Sequence, residues 1–145
     1  MDVAEWTPKP WGRTRTLHAD QRLSIHEIEV VPGGFCSVHR HACKHNTFLV
    51  LDGELAVIEF ASPDDGLGPQ SVIALHPGGD VTASVSVHVL HQFWSLRGAR
   101  VLEIYEPDGD VPPQQHDIER FTEGGVDPGS PDRLTPRAKR LEAKA

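Results

Sequence analysis

The stretch Pro32-Gly33-Gly34-Phe35-Cys36-Ser37-Val38-His39-Arg40-His41-Ala42-Cys43-Lys44-His45-Asn46-Thr47-Phe48-Leu49-Val50-Leu51-Asp52-Gly53-Glu54 decides how the chain is read. His39 and His41 stand two apart between turn formers. In a strand, residues i and i+2 share a face with Cα atoms roughly 6.5–7 Å apart, so two imidazoles can converge on one ion. On a helix the same spacing is about 200° of rotation and the rings diverge. A strand over Phe35–His41 would place Phe35, Ser37, His39 and His41 on one face, which makes the histidine pair half of a metal site.

Outward from this stretch the chain reads as short strands and tight turns. Arg22–Val31 alternates, with His26, Ile28 and Val30 on one parity and Glu27 and Glu29 on the other. Pro32-Gly33-Gly34 is a turn, Ala42–His45 a loop, and Asn46–Leu51 an apolar strand. Asp52-Gly53 is a strong hairpin signal, joining that strand to Glu54–Phe60. Ala61–Gln70 is a surface loop, and Ser71–Leu75 a strand ended by Pro77-Gly78-Gly79-Asp80. In Val81–Val89 every second residue is Val or Ala, which predicts one long strand with one buried face. His91–Leu96 and Ala99–Tyr105 are expected to pair around Arg97-Gly98. About eight strands with no helix between them predict an all-β protein, an antiparallel barrel or jelly roll. Residues 1–20 show no sustained period and read as an arm whose tryptophans pack on the body. Residues 21–106 form the barrel and 107–145 a C-terminal extension, flexible after 124, with Ile118–Phe121 as a last strand or docking segment and Pro136–Ala145 as a short basic helix.

The chain has 145 residues, enough for one domain with its own core. Its net charge of −7 argues against nucleic acid as a partner. No apolar run reaches the ~18 residues of a membrane span, and the acidic start lacks the apolar centre of a signal peptide, so a cytoplasmic location is expected. Cys36 and Cys43 read as ordinary thiols rather than a disulfide framework.

Gly33, five residues, His39-Arg40-His41, four residues, Asn46, six residues and Gly53 resemble the first motif of the cupin superfamily. That motif has Glu where Asn46 stands. The second motif is matched in part, from Gly79-Asp80 to His91-Gln92-Phe93, with Ser86 and His88 where Pro and Gly are usual. The resemblance spans residues 22–106 and implies a cupin jelly-roll barrel in which His39, His41 and His91 hold a divalent metal ion (Zn, Mn, Fe or Ni). Two of these histidines share one inward face and the third comes from a facing strand, which leaves open positions on the ion. Asn46, Ser37, His45, Phe48 and Phe93 are candidate lining residues. Parity sends Asn46, Phe48 and Val50 one way and His45 the other. His18, His26, His76 and His116 read as isolated histidines.

Lys9-Pro10-Trp11-Gly12 and Asp117-Ile118-Glu119-Arg120-Phe121 are similar to the flanks of small cupins of the type II mannose-6-phosphate isomerase kind. Those have Gln and Glu where this chain has Ser37 and Asn46, and no Arg or Lys that would grip a phosphate is evident on the inward parity. The resemblance implies a small-molecule substrate, sugar isomerase- or epimerase-like chemistry and a homodimer, the last in keeping with outward Leu49 and Leu51. His26 and Tyr105 are the candidate bases. Two alternatives stand beside this reading: a three-histidine Fe(II) dioxygenase, and a non-catalytic binding or sensing barrel.

Overall fold

A computed structural model describes residues 4–61, 69–110, 112 and 117–127. The strands are β1 (Thr7–Lys9), β2 (Gly12–Ala19), β3 (Ser24–Val30), β4 (Gly34–Phe35), β5 (His39–His41), β6 (Lys44–Gly53), β7 (Leu55–Phe60), β8 (Pro69–Leu75), β9 (Thr82–Val85), β10 (Leu90–Trp94), β11 (Ala99–Pro107), β12 (Ile118–Arg120) and β13 (Gly125–Val126). Among the described residues there is no helix, and so none long and apolar enough to cross a membrane. One antiparallel sheet runs β1-β2-β3-β11-β6-β9, and the other runs β12-β5-β10-β4-β13 with β7 and β8 joined through β10. The protein is an all-β antiparallel jelly roll.

The register sorts the inward face of the six-stranded sheet into rows. Thr14, Ile28, Val101 and Val50 stand side by side, then Thr16, His26, Glu103 and Phe48, then Ser24, Tyr105, Asn46 and Val85. The first row is largely apolar and belongs to a core that also holds Trp11, Val30, Leu55, Val57, Leu75 and Phe93. Trp11 meets Phe93 edge-on at 5.0 Å. The next two rows carry the titratable groups. Hydrophobic burial therefore fills one end of the space between the sheets and leaves polar side chains at the other. The outer side of the second sheet has its own small apolar cluster, Val38, Ile58, Phe60 and Leu90, under Phe121.

Several expectations change. The expected N-terminal arm does pack on the body through Trp11, and Thr7–Lys9 and Gly12–Ala19 within it are strands at one edge of the six-stranded sheet. No apolar period announces β2, because its inward side chains are Thr14 and Thr16 while Arg13 and Arg15 pair outward with Glu29 and Glu27. Asp52-Gly53 and Arg97-Gly98 do not close hairpins. Both carry the chain from one sheet to the other, since β6 pairs with β11 and β9, and β10 with β4, β5 and β7. Alternation tells which face of a strand is buried but not which strand lies beside it. The two crossings lie together: Gly53, at φ 78°, faces Ala99, and a Cβ there would sit 2.1 Å from the Gly98 carbonyl oxygen.

The long strand expected over Val81–Val89 ends at Val85. Ser86–Val89 turns across to β10, with His88 at φ 66° and its N–H donating to the His41 carbonyl at 2.7 Å. A non-glycine residue rarely adopts that conformation. His88 thus occupies a backbone position suited to the Gly that the motif usually supplies. Phe35–His41 is broken into β4 and β5, and Ile118–Arg120 pairs with β5 as a strand. Gly125–Val126, placed in the flexible part of the extension, pairs with β4. Both cysteines are free. Most of the 61–70 loop, His116, and the tail and basic helix expected beyond residue 127 lie outside the described residues.

Candidate metal centre

His39 and His41 point inward from β5, and His91 lies in register beside His39 on the adjoining strand β10 rather than on a facing one. The three rings meet with centroids 4.4–5.5 Å apart. One ligand atom from each lies within 4.8 Å of the other two, and all three residues are buried.

Each ring is held by its Nδ1. That of His39 donates to the Ser37 carbonyl at 2.7 Å, with the Ser37 hydroxyl at 3.2 Å. That of His91 donates to the Val89 carbonyl at 2.9 Å, and that of His41 meets Asp117 Oδ1 at 3.1 Å. A proton fixed on Nδ1 leaves Nε2 as the lone-pair nitrogen, the usual arrangement of metal-bound histidine. The Nε2 atoms of His41 and His91 are buried without a hydrogen-bond partner among the described residues. An orphaned acceptor in a buried site costs about 1–3 kcal/mol, which a bound cation would offset. Burial, with the neighbouring rings, holds His39 well below the ordinary histidine range and lowers His91 to about 4. Burial also lowers His41, although Asp117 works against it. Three neutral imidazoles form a donor set suited to a divalent transition ion.

Asp117 is a residue that the sequence suggested only as part of an end motif. Its Oδ2 accepts from the Cys43 amide at 2.8 Å, while Oδ1 faces both His41 and the Lys44 ammonium, the latter at 3.4 Å. Burial opposes its ionisation, yet the Cys43 amide and His41 keep its carboxyl below the usual value. Lys44, expected in a loop, begins β6 and lies 4.3 Å above the Tyr105 ring.

A cavity of about 840 Å³ opens onto His39 and His41 and is lined also by Ser37, Phe93, His26, Lys44, Glu103, Tyr105, Arg120 and Lys9. Lys9, Lys44 and Arg120 thus reach a cavity where no Arg or Lys that would grip a phosphate was evident from parity. Of the other candidates, Asn46 is buried behind the cavity, its Nδ2 donating to Glu103 at 3.4 Å and its Oδ1 without a partner among the described residues. Phe48 packs against His91 and Phe93. His45 faces outward beside Asp108, as parity required, and does not join the cluster.

Neither candidate base is free. Both His26 nitrogens are engaged, with Ser24 at 2.6 Å and Thr16 at 3.1 Å, and the Tyr105 hydroxyl is bonded to Glu103. Glu103 itself was missed. It is half-buried on β11 and lines the cavity, and burial raises its carboxyl despite hydrogen bonds from Tyr105 and Asn46. The signal was present: on β11 the parity that buries Val101 also turns Glu103 and Tyr105 inward.

The chain has the fold of a small cupin barrel, and the three-histidine cluster supports a bound divalent metal. No protein-family description and no curated protein matches the chain by sequence. Solved structures do. Oxalate decarboxylase of Bacillus subtilis is similar at TM-score 0.63 and 13% identity over 81% of this chain, which spans only 30% of that one. KdgF from Halomonas sp. is similar at TM-score 0.60 and 18% identity, covering 73% of this chain and 90% of that one. The capsular polysaccharide assembling protein CapF of Staphylococcus aureus reaches 0.62 and 17%, over 85% and 33%.

Proposed function

We propose that this chain is a metal-dependent cupin that moves a proton on a small hydroxy-carbonyl compound, in sugar isomerase- or epimerase-like chemistry. His39, His41 and His91 are the ligands. The observation that supports this most is the set of three converging rings, each tied at Nδ1, above a cavity that Glu103 also lines. Mn(II) centres in the fold neighbour oxalate decarboxylase favour a divalent ion without choosing which. When bound, such an ion would act as a Lewis acid toward a carbonyl oxygen. Glu103 is the proton-transferring group. Its carboxylate takes the proton from the carbon beside the carbonyl, and the C–H electron pair delocalises onto the carbonyl oxygen; return of the proton to the same carbon gives epimerisation, and its return to the neighbouring carbon gives isomerisation, with the hydroxyl proton passing to the former carbonyl oxygen. A carboxyl raised toward working pH suits that task. The Tyr105 hydroxyl and Asn46 amide hold Glu103 in place.

The test is elemental analysis of protein purified without chelator, beside His39→Ala. About one metal per chain is expected in the parent and a small fraction of that in the variant. Metal far below one per chain in the parent ends the reading. Deuterium wash-in from D₂O into hydroxy-carbonyl compounds would fall about 10²-fold or more in Glu103→Gln with metal content unchanged.

A three-histidine Fe(II) dioxygenase is the second reading, favoured by Asn46 standing where the motif has a carboxylate. Oxygen consumption that requires Fe(II) separates the two. A homodimer joined through the outer face of the six-stranded sheet accompanies either reading, supported by Ile25, Leu49, Leu102 and Ile104, which share that face.

A further inference from the structure

β5, the strand that carries His39 and His41, has little hold on the body of its own sheet. Toward β10 it makes a single register pair, His39 with His91, beside which the His88 N–H donates to the His41 carbonyl at 2.7 Å. By contrast, β10 pairs with β7 along its whole length, from Leu90 to Trp94. On its other side β5 pairs with β12 at every residue: His41 with Ile118, Arg40 with Glu119 and His39 with Arg120. Most of the ladder that fixes these two ligands therefore comes from the C-terminal segment.

That segment, residues 117–127, runs along β5 and β4 as one strip. The Cys43 and Val38 amides donate to Asp117 Oδ2 and Thr122 Oγ1, each at 2.8 Å. The Phe121 amide donates to the Val38 carbonyl at 2.8 Å, and the Asp127 amide to the Gly33 carbonyl at 2.9 Å. Phe121 covers the outer apolar cluster, but Glu119 and Arg120 are exposed and β12 is the end strand of its sheet. A short, exposed edge element of this kind opens at a lower free energy than the sheet it borders. Its first residue reaches the metal centre: Asp117, its side chain 7% exposed, meets His41 Nδ1 and faces Lys44. Lifting the strip would take that carboxylate from both and leave β5 joined to β10 by the His39–His91 pair and His88. The ligand set itself spans the weak join, with two rings on β5 and the third on β10.

We propose that residues 117–127 form a latch that opens while the barrel stays folded, and that its closure is coupled to occupancy of the three-histidine centre. This rests on the metal-site reading above and adds a regulation of it. Coupling of two equilibria is reciprocal: the factor by which the closed latch raises metal affinity is the factor by which metal favours closure.

The experiment is residue-resolved amide hydrogen exchange on the full chain, without metal and with zinc(II) at about 100 times its measured dissociation constant. The amides of Val38, Cys43, Phe121 and Asp127 report on the latch, because their acceptors lie across it. The amides that join β3 to β11 in the middle of the six-stranded sheet report on the barrel. Without metal, the latch amides should exchange at least about tenfold faster than the slowest barrel amides. Zinc should slow the latch amides about 100-fold, the factor given by that excess when the ion must leave before the latch opens. In His91→Gln, which removes a ligand on β10 away from the latch, zinc should leave them unchanged, and slowing there would mean zinc held elsewhere on the chain and overturn the coupling. Latch amides as slow as the barrel without metal, or zinc bound without slowing them in the parent, overturns the proposal. Should the chain take up no zinc, the metal reading and the coupling fall together, and the metal-free comparison decides the latch by itself.

Discussion

Glu103 is a carboxyl whose surroundings disfavour its charge, and the consequence is measurable without knowing the substrate. Burial raises its pKa in the folded chain, against hydrogen bonds from Tyr105 and Asn46 and the charges of Lys44 and Lys9. An ordinary glutamate loses its proton near 4.3. The folded state therefore keeps a proton that the unfolded state has released, and stability falls as pH rises from about 4.3 through the raised value. Glu103→Gln keeps an acceptor for Tyr105 and has no proton to lose. Its melting temperature should match the parent's near pH 4 and exceed it increasingly toward pH 8. A difference that stays constant across that range would show that Glu103 ionises as freely as a surface residue. The same variant is expected to lose proton transfer, so function here is set against stability.

At the scale of elements, β12 decides whether the centre is well held. It pairs with β5 and brings Asp117, just ahead of it, to His41 Nδ1, the Cys43 amide and Lys44. Asp117→Asn keeps a carbonyl acceptor for His41 but removes the charge that stabilises the ring and balances Lys44. Metal affinity, measured by competition with a chromophoric chelator, should fall about 10–100-fold, the usual loss when the partner of a histidine ligand is removed. Unchanged affinity would mean that β12 only covers the sheet. These elements also show what could be read from the chain alone. The His39/His41 pair was legible because a spacing of two has one meaning in a strand, and β3 because apolar residues mark its inward face. β2 was not legible, because its inward side chains are threonines that face a polar cavity. Asp52-Gly53 was recognised as a turn but assigned the wrong partner strand, since a turn's residues do not record which sheet the next strand joins. Glu103 and Asp117 were missed as site residues for a related reason. Parity along β11 turns Glu103 inward, but what it and Asp117 meet there comes from β11 and β12 lying beside strands distant in sequence, which no local pattern records.

For the molecule as a whole, three neutral histidines packed in one place tie stability to pH and to metal together. His91 titrates at about 4 in the fold, and His39 and His41 are also held below the ordinary value of about 6.5. Below that value the unfolded chain takes up protons that the folded chain refuses, so the rings' share of metal-free stability, opposite in sign to that of Glu103, should be level above about pH 6.5 and decline as pH falls toward 4. His91 alone accounts for on the order of 3 kcal/mol across that window, after which its contribution stays constant. Metal acts from the other side. An ion in about 100-fold excess over its dissociation constant adds about 2.7 kcal/mol near neutral pH. Because it needs the deprotonated rings, that gain shrinks as protons compete for them. Melting curves of metal-free and metal-loaded protein should therefore lie well apart at pH 7.5 and approach each other by about pH 4.5. In His91→Gln the metal-free curve should be flatter with pH and the metal-induced shift small. A Glu103→Gln melting temperature that stays level from pH 7 to 4 without metal would mean that the rings charge freely in the fold, and that no closed, dry site surrounds them.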